Sequence, residues 1–228
     1  MLKDLINILL YSMYFLGRSG LIILRVCLAL IVFNIGTSLF NINANGSIGT
    51  FAFLVDVLVT VVACVSIHRV ILLGVASVPS FGILTWSMRE TMFLIYSLCL
   101  VVVPSILTVG TYFLFNENGA VAVFVLCFTW WISCRLSLVL PSIAIDKELD
   151  LVSAWQLTKG YNVVMLIISA VIPGIFFNIV AFYFSDPEVE NSLFELLSSL
   201  IVVLFTVTEV ILLTSAYKVI SEKPHSGL

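Results

Sequence analysis

Charge is scarce in this chain: Asp, Glu, Lys and Arg make up 10% of its 228 residues. Soluble domains carry about 25%. With 61% of residues hydrophobic, a water-soluble fold of this length has too little polar surface to cover itself. A soluble enzyme is therefore excluded, and so is a disordered chain. Histidine is nearly absent, with only His68 and His225, which argues against a His-based metal centre. The five cysteines, Cys27, Cys64, Cys99, Cys127 and Cys134, form an odd set with no C-x-x-C pair. This excludes a disulfide framework and a zinc site. All lie in apolar runs, where cysteine acts as a small hydrophobe. Gly-x-Ser-x-Gly, HExxH and P-loop patterns are missing, so no catalytic constellation, no enzymatic activity and no cofactor are expected. The acidic run Asp146, Glu148, Asp150 lacks the glycine and the terminal glutamate of a calcium loop, and no metal site is expected there. With a net charge of -3, a nucleic-acid partner is not expected either.

What is present is long apolar runs, with a mean hydropathy of +1.21. The runs are continuous and do not alternate, which favours membrane helices over barrel strands. The expected fold is an all-α membrane protein of about six transmembrane helices forming one integral membrane domain over 1–228. The spans fall at about 21–41, 51–73, 88–115, 120–145, 162–184 and 192–217, with a polar tail at 218–228. Residues 1–20 carry a polar stripe of Lys3, Asp4, Asn7, Tyr11, Tyr14 and Arg18 at helical spacing and lack a small-residue cleavage site. They are expected to be a retained interfacial helix, not a signal peptide. A second interfacial helix is expected at 150–160, capped by Asp150, closed by Gly160 and anchored by Trp155.

Local signals mark the span ends. Gly74 follows the second span as a C-cap. Ser87 with Glu90, and Ser192 with Glu195, have capping-box spacing. Asn162 is a candidate N-cap. Asn43, Asn45, Gly46 and Ser47 separate the first two spans, and Asn116–Gly119 joins the third to the fourth. Residues 75–86, with Pro79 and Gly82, are too short and broken to span and are expected to be interfacial or re-entrant. Pro104, Pro141 and Pro173 are expected to kink the third, fourth and fifth spans or their ends. Gly110, Gly119 and Gly174 make no GxxxG face.

Six spans sort the basic residues completely. Lys3, Arg18, Arg69, Arg89, Lys147, Lys159, Lys218 and Lys223 fall on one side, and the opposite loops contain no Lys or Arg. The positive-inside rule then places both termini in the cytoplasm. The opposite face carries Glu117, Asp186, Glu188, Glu190 and Glu195, the pattern of solvated acidic loops.

Arg25, Asp56, Arg135 and Glu209 are ionisable residues within spans and need partners or water. Arg25 can snorkel from the first span. Arg135 or Arg25 is expected to pair with Glu209, since all three lie at similar depth. At headgroup level, His68, Arg69, Arg89 and Glu90, with Arg135, Asp146, Trp155 and Lys159, form a candidate binding surface for membrane lipids, anionic phospholipid above all, or for a larger membrane complex.

Two stretches also carry a family resemblance. One is His68-Arg69-Val70-Ile71-Leu72-Leu73-Gly74 with Trp86-Ser87-Met88-Arg89-Glu90. The other runs from Arg135 through Leu140-Pro141 to Asp146, then Ala154-Trp155-Gln156-Leu157-Thr158-Lys159-Gly160-Tyr161-Asn162. Over about Ser66–Asn162 the chain resembles uncharacterised multi-pass proteins of the proteobacterial inner membrane. These are similar to the membrane domain attached to glycerophosphoryl diester phosphodiesterases. The resemblance implies a bacterial inner-membrane protein associated with lipid or envelope processes. No phosphodiesterase domain lies within these residues, so that activity is not expected to carry over. The expected function is a non-enzymatic scaffold or accessory subunit. The alternative is a small transporter or channel with a polar cavity around Arg135 and Glu209.

Overall fold

A computed structural model describes residues 2–43, 47–79, 86–115, 119–147, 149–175, 178 and 192–222, with side chains omitted at 37–43, 47–48, 192–196 and 198–199. All regular structure among these is helical: α1 Leu2–Asn43, α2 Ser47–Leu73, α3 Met88–Leu114, α4 Gly119–Leu136, α5 Val139–Ala144, α6 Leu151–Leu157, α7 Asn162–Leu166 and α8 Ser192–Ser221. A short 3-10 turn covers Val75–Ser77, and a π-helical turn, Ile167–Val171, continues α7. Five helices are long and apolar enough to cross a membrane, or six if the pair α6 and Asn162–Ile175, bent by 110°, counts as one. Their outer faces expose large apolar side chains such as Val101, Ile106 and Phe113, as a lipid-facing surface does.

The N-terminal segment departs from expectation. Residues 2–43 form one helix, not an interfacial helix followed by a separate span. At about 1.5 Å per residue such a helix is about 63 Å long, roughly twice a bilayer core. The reason lies in packing. Ile8, Ser12, Phe15, Ser19, Ile23, Val26 and Leu30 recur every three or four residues and are all buried. This stripe crosses Gly17 and Gly20 without interruption. Ser12 donates to the Ile8 carbonyl at 2.8 Å, and its Oγ lies 3.0 Å from Ser215 Oγ on α8.

Helix α8 is the centre of the bundle. Val203, Val207, Val210 and Ile211 join one apolar cluster with α1 and α2. Leu212, Leu213, Ala216, Tyr217 and Ile220 join a second with Ile8, Leu138, Met165 and Ile168. From Val210 to Tyr217 every residue is buried, and apart from Thr214 and Ser215 the stretch is apolar on every face, as burial on all sides requires.

Local signals settle several ends. Gly74 has φ 93 and donates its N–H to the Val70 carbonyl at 3.1 Å, a left-handed cap that glycine adopts without a Cβ penalty. Ser87 N donates to Glu90 Oε2 at 2.8 Å, completing the capping box before α3. Asp150 accepts from Ser153 N at 2.8 Å and caps α6. Asn162 is a correction: Tyr161 occupies the cap of α7, Asn162 is its first residue, and Asn162 Oδ1 is buried without a partner. The turns at 44–46 and 116–118, the side chains of Ser192 and Glu195, the rest of the fifth span beyond 178, and the tail with Lys223 and His225 lie outside the described residues, as do Glu148, Glu117 and the acidic loop at 185–191. Of residues 75–86, only 75–79 and 86 are described.

Proline positions leave backbone carbonyls without their helical donors, within α3 and near the breaks after α4 and α7. Pro104 lies inside α3 and cannot donate to the Leu100 carbonyl four residues earlier. Ser133 on α4 donates its hydroxyl to that carbonyl at 2.9 Å. Pro141 likewise cannot reach Ser137, whose carbonyl accepts from Leu140 N at 3.0 Å where α4 gives way to α5. Pro173 stands just beyond the π turn and leaves the Ser169 carbonyl without its α-helical donor.

Candidate functional site

The end of α5 builds the first candidate site. Asp146 N donates to the Ile143 carbonyl at 3.1 Å and Lys147 N to the Ser142 carbonyl at 2.9 Å. This is a Schellman closure, with Asp146 in the left-handed position that glycine usually fills. Asp146 has φ 58, the single positive φ at a non-glycine residue among those described. A non-glycine residue there is strained by about 1 kcal/mol. The conformation presents the carboxylate to two guanidinium groups. Arg69 Nη1 donates to Asp146 Oδ2 at 2.8 Å and to the Ala144 carbonyl at 3.0 Å. Arg89 Nη1 reaches the same Oδ2 at 3.2 Å. Arg89 also holds Glu90 through Nε and Nη2, at 3.0 and 2.9 Å.

Glu90 is fully buried and takes donors from Ser87 and Arg89, whereas the Asp146 side chain is 58% exposed. The four charges sum to zero, and Arg69 Nε is buried without a hydrogen-bond partner. Partial burial pushes the Asp146 carboxyl up; the Arg69 hydrogen bond and the charges of both arginines outweigh it and hold the group below the usual carboxylate range. The Ser153 hydrogen bonds likewise hold the exposed Asp150 low.

Arg135 belongs to a different cluster. Its Nη2 donates to the Trp155 carbonyl at 2.6 Å and its Nε to Thr158 Oγ1 at 3.2 Å. Its guanidinium stacks 3.4 Å from the Trp155 ring centroid and 5.4 Å from that of Trp131. Two aromatic faces and the C-terminal carbonyls of α6 thus surround a buried cation. Arg135 does not pair with Glu209, contrary to expectation. Similar depth along two helices did not make them neighbours: Cys134 shares the cavity with Glu209, while Arg135, one residue on, turns to acceptors at the end of α6.

His68 is also displaced from the surface expected for it. It is buried, with Nδ1 2.6 Å from Thr214 Oγ1 and its ring 5.7 Å from that of Phe93. Thr214 gives its only hydroxyl proton to the Val210 carbonyl, so His68 Nδ1 must be the donor. The pair pins α2 to α8. Lys147 and Lys159 are exposed, as is Arg25. Asp56 accepts from Asn34 Nδ2 at 3.0 Å, linking α2 to α1.

Glu209 lines a cavity of about 250 Å3 together with Ser97, Ser105, Ser133, Ser137, Ser169 and Trp130. Arg135 does not line it. No hydrogen bond or salt bridge reaches the Glu209 carboxylate among the described residues.

Sequence reasoning had no direct signal for Thr158, Trp131, Thr214 or Ser133 as partners. Pro104 announces a freed carbonyl, which is the one clue to Ser133. Comparison with protein-family models, curated proteins and solved structures finds no match.

Proposed function

We propose that this chain is a non-enzymatic, multi-pass bacterial inner-membrane protein that binds anionic lipid headgroups at the Arg69–Arg89–Asp146 cluster and serves as an accessory or scaffold subunit. The observation that carries this reading is the convergence of two guanidinium groups on one exposed carboxylate oxygen, at 2.8 and 3.2 Å. Two arginines around one oxyanion make the geometry that recognises a phosphate. Asp146 is then an internal placeholder. A phosphodiester displaces it, and the strained, exposed residue swings into water while the buried Glu90 stays fixed to Arg89.

Lys147, exposed and next to Asp146 in the chain, adds positive potential at the cluster. Positive-inside sorting supports cytoplasmic termini, with the cluster at the inner headgroup layer. The residues involved also carry the resemblance to the phosphodiesterase-linked membrane domain, which fits a role near lipids. A larger membrane complex is the partner the accessory role calls for.

The test is thermal unfolding of the full chain in mild detergent with phosphatidylglycerol or phosphatidylcholine added. Phosphatidylglycerol is expected to stabilise the protein more. Asp146→Asn should widen that preference by freeing both arginines, and Arg69→Gln with Arg89→Gln should abolish it, at about 1 kcal/mol per basic group. Equal stabilisation by the two lipids, or a narrower preference in Asp146→Asn, would refute the reading.

A further inference from the structure

The cavity beside Glu209 is separate from the headgroup cluster and has an unusual polar lining. Ser97, Ser105, Ser133 and Ser137 donate their hydroxyl protons to the carbonyls of Phe93, Val101, Leu100 and Cys134, at 2.7, 2.9, 2.9 and 2.8 Å. Each serine has one such proton. What these four can still offer a ligand is oxygen lone pairs. Glu209 adds a carboxylate with no hydrogen bond or ion pair among the described residues. The rest of the wall is mainly apolar, with Trp130 as an aromatic face. With Glu209 and these four oxygens the lining offers more acceptors than donors; the Ser169 hydroxyl remains as a proton donor, and the Trp130 N–H is turned to Cys134.

We propose that this cavity binds a small lipophilic ammonium ion, its N–H groups on Glu209 and the serine oxygens and its hydrocarbon part against Trp130 and the aliphatic wall. The alternatives fit less well. An anion meets a carboxylate and acceptors. A bare metal ion needs several oxygen ligands at contact distance, and no cluster of three acidic, His or Cys side chains exists among the described residues. A volume of about 250 Å3 lies just below the roughly 300–1,000 Å3 of drug-sized pockets, which favours a ligand with one ring or a short chain. A second, apolar cavity of about 520 Å3 shares Leu100, Pro104 and Ser133 with the first. The two cavities adjoin along these three residues, beside the lipid-facing surface of α3. An ammonium ion is also drawn to an aromatic face.

The experiment is calorimetric titration of the detergent-purified full chain with phenethylammonium and with its neutral counterpart 2-phenylethanol. The amine is expected to bind at least about tenfold more tightly, equivalent to about 1.4 kcal/mol. Glu209→Gln should bring the two ligands within about twofold of each other by removing the charge partner. If that variant does not fold, Leu100→Trp is measured in its place, since the partly buried Leu100 lines both cavities. It fills the cavity while leaving Glu209 in the chain and should abolish binding of both ligands. Equal affinities in the unaltered protein overturn the proposal. So does an amine preference that survives Glu209→Gln, or binding unchanged by Leu100→Trp.

Discussion

The hydrogen bond from Ser133 to the Leu100 carbonyl exists because of Pro104, and that dependence can be measured. Proline at 104 has no N–H for the carbonyl four residues earlier, and the Ser133 hydroxyl fills the gap from α4 at 2.9 Å. Ser133→Ala strands that carbonyl at bilayer depth. Interhelical hydrogen bonds in membrane bundles average about 0.6 kcal/mol and reach about 1.7. A carbonyl left with no alternative belongs in the upper part of that range, so the expected cost is 1–2 kcal/mol. Pro104→Ala restores an N–H to α3, and the released Ser133 hydroxyl can bond back to the Thr129 carbonyl on its own helix. That single change should be near neutral. In the Pro104→Ala background, Ser133→Ala should cost only a few tenths of a kcal/mol, leaving a coupling near 1 kcal/mol. The assay is unfolding in mixed micelles with increasing sodium dodecyl sulfate, followed by far-ultraviolet circular dichroism. Equal costs of Ser133→Ala in both backgrounds, within about 0.3 kcal/mol, would refute the reasoning.

Asp146 makes a second prediction, on pH. Its folded carboxyl titrates below the ordinary value, so the stability it contributes is complete above about pH 4 and lost as pH falls through the lower folded value. Asp146→Asn, which tolerates the left-handed backbone, should remove that acid-sensitive component. Asp146→Gly should remove it too while gaining about 1 kcal/mol from relieved strain. Unfolding midpoints at about pH 6 and about pH 3 test both, and an unchanged acid loss in Asp146→Asn contradicts the assignment. Arg135→Lys keeps the charge but loses the planar fork and the ring stacking, at an expected 1–3 kcal/mol. Amide exchange should quicken across α6, and unaltered protection there would show that Arg135 does not hold the bent pair.

Signals confined to a few residues were legible in the sequence. Glycine after an apolar run gave the left-handed end of α2, Ser87 and Glu90 gave the capping box, and Asp150 gave the start of α6. Each depends on backbone geometry within four residues. Long-range partners were not legible. The polar stripe of residues 3–18 suggested a helix lying in the interface. The neighbouring stripe of Ile8, Ser12, Phe15 and Ser19 packs into the bundle, and Ser12 meets Ser215. Asp146 was noticed as an acidic residue in a headgroup motif, but its left-handed backbone follows from where α5 stops. The Arg135 and Glu209 pairing failed for a related reason: helix depth is one coordinate, and neighbourhood needs rotation about the axis as well.

The bundle treats its ionisable groups in three ways. Arg69, Arg89, Glu90 and Asp146 neutralise one another, and the exposed member can leave. Arg135 is buried without a carboxylate, which a guanidinium tolerates because its charge is delocalised, stacks on rings and meets the carbonyl end of a helix. A carboxylate has no such recourse; it needs donors, water or a cation, or it takes up a proton. Around Glu209 the four serines that hydrogen-bond along the cavity wall turn their protons away, towards backbone carbonyls. Among the described residues no hydrogen bond or ion pair stabilises the Glu209 carboxylate, whereas a bound cation would. Uncompensated groups of that kind are where binding energy enters a membrane protein. The same logic separates the two proposed sites: the Asp146 cluster is charge-balanced from within and would have to open to accept a ligand, whereas the Glu209 carboxylate has no hydrogen bond or ion pair among the described residues.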